Sequence, residues 1–158
     1  MKIGIADTTF ARIDMAQFVL QTLKKEAPKA EIERYTVPGF KDLPVACKKL
    51  IEEYHCDIVL ALSMAGSAKI DEVCALEASN GLQQVQLMTN KHILNVMIYT
   101  SEKKNEKGLF ELAKDRTIKH TQNALQLLKG KTALTPAAGQ GKRQGSKDAG
   151  GIKNEYKK

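Results

Sequence analysis

The chain reads as an α/β protein, because strand-like and helical segments alternate four times over residues 1–128 and the third strand is apolar on both faces. Regular alternation of this kind builds an open, four-stranded parallel sheet with helices on both sides. With 158 residues, 42% of them hydrophobic, the chain is long enough to bury a core of one domain.

The first strand, Lys2–Ala6, begins straight after Met1, without the apolar stretch of a signal peptide. In the helix after it, Ile13, Ala16, Leu20, Leu23 and Ala27 recur at three- and four-residue steps. The second strand, Glu31–Thr36, alternates Glu31, Glu33 and Tyr35 with Ile32, Arg34 and Thr36. Pro38-Gly39 then turns the chain, and Leu43, Ala46, Leu50 and Tyr54 mark the second helix, with Pro44 in the first turn where no N–H is required. The third strand spans Asp57–Ser63, and its apolar run Ile58–Leu62 is far too short to cross a bilayer. The third helix carries Ile70, Val73, Cys74, Gly81, Leu82 and Val85; the fourth strand is Ile93–Thr100 and the fourth helix runs from about Gly108 to Leu128. No internal repeat or second domain is visible.

Cys47, Cys56 and Cys74 are odd in number, lack metal-ligand spacing and sit among apolar neighbours, which predicts reduced core thiols of a cytoplasmic protein. The net charge of +7 divides unevenly. Residues 129–158 hold eight Lys or Arg against Asp148 and Glu155, whereas residues 1–128 hold 17 basic and 16 acidic side chains. The basic tail also has six of the eleven glycines and a lone aromatic, Tyr156, so it is expected to be mobile for most of its length. Without interleaved aromatics it offers no base-stacking platform, and nucleic acid is not the expected partner.

In an open parallel sheet the ligand crevice lies beyond the carboxyl ends of the strands. The segments gathered there are Asp7-Thr8-Thr9-Phe10-Ala11-Arg12, Val37-Pro38-Gly39-Phe40-Lys41-Asp42, Ser63-Met64-Ala65-Gly66-Ser67-Ala68-Lys69 and residues 101–107. They are rich in hydroxyl groups and Gly, with Phe10 and Phe40 as stacking surfaces, and lack both the dinucleotide glycine fingerprint and the GK[ST] of a phosphate loop. A flat, polyhydroxylated, weakly charged ligand fits this set. Asp42 is expected at the N-cap of the second helix, where it serves as an ordinary cap or as a ligand group beside the free first-turn N–H groups. On the fourth helix Leu109, Leu112, Ala113, Ala124 and Leu127 form an apolar stripe that also contains Arg116, His120 and Asn123. Buried polar groups require partners, so this stripe is either a partly exposed face or a subunit interface whose side chains reach a neighbour's ligand.

The segments IGIADTTFARIDMA, TVPGFKDLPVACKKL, ALSMAGSAKIDEVCALEAS and QLMTNKHI, the helix with Arg116, His120 and Asn123, and the tail GQGKRQGSKDAG together resemble the archaeal-type riboflavin synthases. That family is similar in fold to lumazine synthase, itself flavodoxin-like in layout. PGFKDLP corresponds to the PG-x-x-E-x-P pattern of lumazine synthase, with Asp42 in the place of its glutamate. The resemblance implies a dismutation in which one 6,7-dimethyl-8-ribityllumazine donates a four-carbon unit to another, giving riboflavin and 5-amino-6-ribitylaminopyrimidinedione. It also implies a homopentamer with sites between adjacent subunits, a divalent cation such as Mg2+, and no organic cofactor.

Combining the strand-end reading with the resemblance, the expected substrate-binding residues are Thr8, Thr9, Phe10 and Ala11, then Gly39, Phe40, Lys41 and Asp42, then Ser63, Met64, Gly66 and Ser67. Thr89, Asn90, His92, Arg116, Lys119 and His120 are expected from the neighbouring subunit. Lumazine synthase has a histidine base near the start of its third helix, but the matching position here is Ile70, between Lys69 and Asp71. His120 is therefore the leading candidate for acid/base work, since an unperturbed imidazole titrates near neutral pH. Arg116 and Asp42 complete the expected catalytic set, while His55 is read as a C-terminal capping residue. Lumazine synthase and a non-enzymatic flavodoxin-like module are the alternative functions.

Overall fold

The computed structural model describes residues 1–152. Four strands, β1 (Lys2–Thr8), β2 (Glu31–Val37), β3 (Ile58–Ala65) and β4 (Ile93–Tyr99), alternate with α1 (Ala16–Glu26), α2 (Leu43–Glu52), α3 (Lys69–Thr89) and α4 (Glu106–Leu128). All pairings are parallel, in the order β2-β1-β3-β4.

All eight residues of β3 are buried, as an inner strand covered on both faces requires. The period-two geometry of the strands divides the core into two clusters. Ile3, Ile5, Leu60, Leu62 and Met64 face α1 and α4, where they meet Phe18, Val19, Leu23, Leu112 and Ala124. Ala6, Val59, Ala61 and Ala65 face α2 and α3, packing on Leu43, Ala46, Leu50, Ala78 and Leu82. Cys47 and Cys56 are buried and Cys74 is half-buried, all as free thiols. Among the described residues, no helix is long and apolar enough to cross a membrane.

Helix ends match their sequences in part. Asn105 caps α4 by accepting the Gly108 N–H at 2.7 Å, and Asn90 ends α3 in the left-handed region at φ 51°. His55, also left-handed at φ 59°, lies in the turn after α2 and lets the Cys56 N–H reach back to the Leu50 carbonyl at 2.9 Å. Asp42 occupies the N-cap position of α2 but makes no side-chain capping bond. The chain has already wound a 3-10 turn over Phe40–Asp42, so that the Asp42 N–H bonds the Gly39 carbonyl at 3.1 Å.

The described part of the tail makes defined contacts with the body. Residues 135–137 form a 3-10 turn, and residues 139–151 double back on themselves as a looped strap, closed by the Ala149 N–H on the Gly141 carbonyl at 2.9 Å, whose tip at residues 144–146 meets α4. Asp115 of α4 accepts the Gly145 N–H at 2.9 Å, Lys119 donates to the Ser146 carbonyl at 3.4 Å, and Asp148 accepts from the Arg143 N–H at 3.0 Å and from Lys142 at 2.8 Å. Gly145 has φ +80°, and a Cβ there would meet Arg116 Nε at 2.7 Å and Leu112 Cδ1 at 2.8 Å, so glycine is what brings the strap this close. A composition poor in apolar groups rules out a packed core for this segment but not a polar latch onto a helix. Glu155 and Tyr156 lie outside the described residues.

Candidate active site

Strand order reverses between β1 and β3: the chain leaves β1 towards β2, and leaves β3 towards β4 on the other side. The connections from their carboxyl ends diverge to opposite faces and open a crevice, which is where ligands bind in such sheets. At its floor the Thr8 and Ser63 hydroxyls are 3.2 Å apart, both residues buried. Their remaining hydrogen-bonding capacity is the polar content of that floor.

The loop after β1 is zipped onto the end of β2. Thr9 N–H donates to the Val37 carbonyl at 2.9 Å, Phe10 N–H to the Pro38 carbonyl at 3.1 Å, and the Thr9 hydroxyl to the same Pro38 carbonyl at 3.2 Å. This brings Phe10 onto Phe40, ring edge to face with centroids 5.6 Å apart. Phe10 is 49% exposed and Phe40 only 6%, so Phe10 is the ring available for stacking while Phe40 supports it from the core. Met64 is likewise a core side chain, 2% exposed, and meets the crevice only through its backbone. Ala11 is half-buried, and Ser67 is exposed beyond β3.

The 3-10 turn beginning at Phe40 leaves the Phe40 and Lys41 N–H groups without backbone partners among the described residues. The exposed Asp42 carboxylate is in the same turn, making it a compact donor and acceptor set for hydroxyl groups. Lys41 is turned away to Glu77 of α3, 2.8 Å distant. Gly66, expected among the substrate-binding residues, instead accommodates an α3 side chain: the Asp71 carboxylate fills the place a Cβ would take.

On the opposite face of β1 and β2 lies a group that residue patterns alone did not single out. Asp7 accepts the Thr36 hydroxyl at 2.6 Å and the Arg34 Nε–H at 3.1 Å, with Arg34 Nη2 on the same carboxylate and Asp14 3.4 Å from the guanidinium. Parallel register sets Asp7 beside Thr36, and Arg34 is one pleat away on the same face. That alternation was legible; the pairing of strands that makes it a cluster was not.

On α4, Arg116 is held within its own chain. Its Nη1 donates to the Met97 carbonyl at 2.9 Å and to Glu102 Oε1 at 2.7 Å, its Nη2 to Glu102 Oε2 at 2.6 Å, and its Nε to the Gln144 carbonyl of the strap at 3.5 Å. Burial alone would raise the Glu102 carboxyl, but the Arg116 bond and the Tyr99 N–H outweigh it and hold it below the usual range. The expected reach of Arg116 towards a neighbour thus competes with a two-pronged internal pair, whose acidic member sits in a separate loop and left no mark on the helical pattern.

His120, one turn further on, is half-buried, and its Nδ1 has no hydrogen-bond partner among the described residues. Burial, followed by the charge of Arg116, lowers its pKa from 6.5 to about 4. The expectation of an unperturbed imidazole is corrected: His120 is neutral at neutral pH and a weaker base than a free imidazole. Lys119 is 3.0 Å from Asp115. Thr89, Asn90 and His92 lie at the entry to β4, the opposite end of the sheet, roughly 20 Å from the crevice by strand length. In one chain they cannot join it.

Among the described residues no three His, Cys, Asp or Glu side chains come together as a metal site. The residues of one chain therefore do not fit a protein-only magnesium cage, and no step is assigned to the ion.

A profile for 6,7-dimethyl-8-ribityllumazine synthase matches residues 1–131, the whole of the sheet and its four helices. The chain belongs to the lumazine synthase-like family. It is similar to proteins named riboflavin synthase: 51% identity over 150 residues to that of Methanothermobacter thermautotrophicus, covering 95% of this chain and 98% of the relative. The riboflavin synthase of Archaeoglobus fulgidus is 48% identical over 152 residues, covering 96% and 99%. A 6,7-dimethyl-8-ribityllumazine synthase of Methanobrevibacter smithii is 32% identical over only 85 residues, 51% of this chain and 62% of the relative. The family profile ends at residue 131, before the strap, whereas an alignment of 150 residues leaves out at most eight and must extend into it.

Proposed function

We infer that this chain is a riboflavin synthase, joining two molecules of 6,7-dimethyl-8-ribityllumazine to give riboflavin and 5-amino-6-ribitylaminopyrimidinedione. The observation that carries this reading is the near-complete likeness, in both directions, to riboflavin synthases at 48–51% identity. The crevice supports it chemically. Phe10 offers a ring face, the Phe40 and Lys41 N–H groups with Asp42 offer partners for ribityl hydroxyls, and Thr8, Thr9 and Ser67 offer hydroxyls to pyrimidine edges.

Bringing two heterocycles face to face is chiefly an entropic task, and held geometry supplies most of what it requires. A proton must also leave an acidified methyl group. We assign its acceptance to His120, whose lowered pKa makes it a weaker base than a free imidazole, and stabilisation of the charge left behind to Arg116. We place these α4 groups at the crevice of a neighbouring copy, as the family likeness implies. The exposed apolar side chains Val45 of α2 and Ile70, Val73 and Leu76 of α3 support such an assembly, as surfaces a second copy would cover. We assign a homopentamer, with magnesium as the required ion and the cytoplasm as the compartment, on family likeness.

Incubating the purified protein with the lumazine alone and magnesium tests the reading. Riboflavin absorbance and the pyrimidinedione should rise in equal amounts; formation of neither above the spontaneous rate would refute it. A lumazine synthase cannot make flavin from that single substrate.

A further inference from the structure

The loop of residues 9–13 carries Phe10 to the crevice, and a cavity of about 250 Å³ lies between this loop and the ends of β1 and β2, lined among others by Asp7, Arg12, Asp14, Arg34 and Thr36. Only Ala11 and Ile13 of the loop lean on the core. Ties therefore set the place of the loop more than packing does. Both of its ends are tied to one side chain. Arg34, on the edge strand β2, donates from Nε to Asp7 at 3.1 Å and sets Nη2 on the same carboxylate, while that Nη2 is 3.4 Å from Asp14. Asp7 stands at the end of β1, just before the loop, and Asp14 closes it. The Asp14 carboxylate also accepts the Gln17 amide of α1 at 3.1 Å. Asp7 continues the face of Ile3 and Ile5 and is the one buried acid among the described residues. A buried ion pair adds little net stability over an apolar pair of the same shape, but it is directional. At this place it fixes a direction for the chain as it leaves the sheet.

We propose that Arg34 is a positioning residue: by holding Asp7 and Asp14 together it fastens both ends of the loop and sets the place of the Phe10 ring against which a lumazine stacks. The proposal rests on the riboflavin synthase reading. Arg34 lies on the face of β2 away from the Thr8 and Ser63 floor, so it acts through the loop and not by touching substrate. The zip of Thr9 and Phe10 onto Val37 and Pro38 fixes the first half of the loop. The second half has the Arg12 pair with Glu106, whose side chains are both well exposed and add little, and the contact of Asp14 with Arg34. That guanidinium is already oriented by two bonds to Asp7, so Asp14 meets a fixed partner instead of a free one. Joining two heterocycles face to face depends on where the rings are held, and a misplacement of about 1 Å can cost up to about a hundredfold in rate.

Two exposed side chains test it without touching the core. Asp14→Ala frees the far end of the loop, and Arg34→Lys keeps a cation beside Asp7 but has no fork to hold both carboxylates. Kinetics are measured with the lumazine. Loop order is measured in the same variants carrying Phe10→Trp, which gives a chain without tryptophan a single indole at the loop. Asp14→Ala and Arg34→Lys should each lower kcat about tenfold with KM within about threefold of wild type, since the Phe40, Lys41 and Asp42 partners of the ribityl chain stay in place. Melting temperatures should stay within about 2 °C of wild type. The double variant should be no slower than the slower single one, because both changes cut the same tie. The indole anisotropy should fall, and its acrylamide quenching constant should rise about twofold or more, in both variants. Wild-type kcat in Asp14→Ala, or an indole as ordered as in the Phe10→Trp parent, overturns the proposal whatever Arg34→Lys does to folding, and the riboflavin synthase reading stands. Losses of kcat that multiply in the double variant overturn it too, as the mark of two unrelated effects. If the wild-type protein makes no riboflavin from the lumazine, the reading itself fails and the positioning role fails with it.

Discussion

Replacing His120 by Gln removes a group that resists protonation in the folded chain, and the effect has a definite sign and window. The imidazole is held at about 4 by burial and by Arg116, against 6.5 when free. Below pH 6.5 the unfolded chain takes up a proton that the folded chain refuses, so stability falls as pH drops from 6.5 towards 4 and levels off below. Between pH 7 and pH 5 the full shift corresponds to about 2 kcal/mol, and screening of a half-buried ring by water leaves about 1 kcal/mol. Asp57, Glu102 and Asp148 have depressed pKa values, so their contributions disappear at more acidic pH and are common to both proteins. Urea denaturation at pH 7 and pH 5 should therefore show the wild type losing about 1 kcal/mol more than His120→Gln over this interval. Equal losses would mean that the ring is solvated and titrates like any surface histidine, and its burial on α4 would be refuted. The activity profile gives an independent check: no inflection near pH 6.5 should disappear in the variant.

Other perturbations separate structural from functional roles. Asp42→Asn should change stability by less than about 0.5 kcal/mol, because no capping bond is lost, while rate or affinity falls about tenfold or more through weakened bonds to hydroxyls; a drop in melting with activity unchanged would make Asp42 structural. Asp7→Ala should cost about 2–3 kcal/mol in chemical denaturation, because Arg34 and Thr36 lose their shared acceptor, and a loss under 0.5 kcal/mol would show the cluster to be solvated. Gly145→Ala puts a Cβ against Arg116 and Leu112 at a left-handed φ, so hydrogen exchange over residues 141–149 should quicken while the sheet stays protected. Asp42→Ala and Arg116→Ala, each poorly active alone, should regain part of their activity when refolded together; no recovery would argue that both residues serve the site of one chain.

The sequence conveyed whatever depends on a residue and its near neighbours. Strand and helix identities followed from period, and the central place of β3 from its two apolar faces. The two strand-end segments that meet at Phe10 and Phe40 were both named, but which ring faces solvent was not, because it depends on the hydrogen bonds that zip Thr9 and Phe10 onto β2. Asp42 stands at the N-cap of α2, as its place in the sequence implies, but it makes no side-chain capping bond, because the 3-10 turn over Phe40–Asp42 has already put its backbone in the helical region.

Longer-range partners account for the remainder, and α4 collects most of them. Its polar residues within an apolar stripe announced that something must satisfy them, since an unpaired guanidinium is costly wherever it is buried. The period of a helix cannot say that the partner of Arg116 is Glu102, fourteen residues earlier in a loop, or that Asp115 latches a glycine thirty residues later. Once those two are assigned, the stripe no longer needs a neighbour to explain Arg116. Left without a hydrogen-bond partner on α4, among the described residues, are the buried Nδ1 of His120 and hydroxyl of Thr117. The residues that the chain cannot satisfy by itself are thus better evidence for a shared site than the polar stripe that first drew attention to the helix.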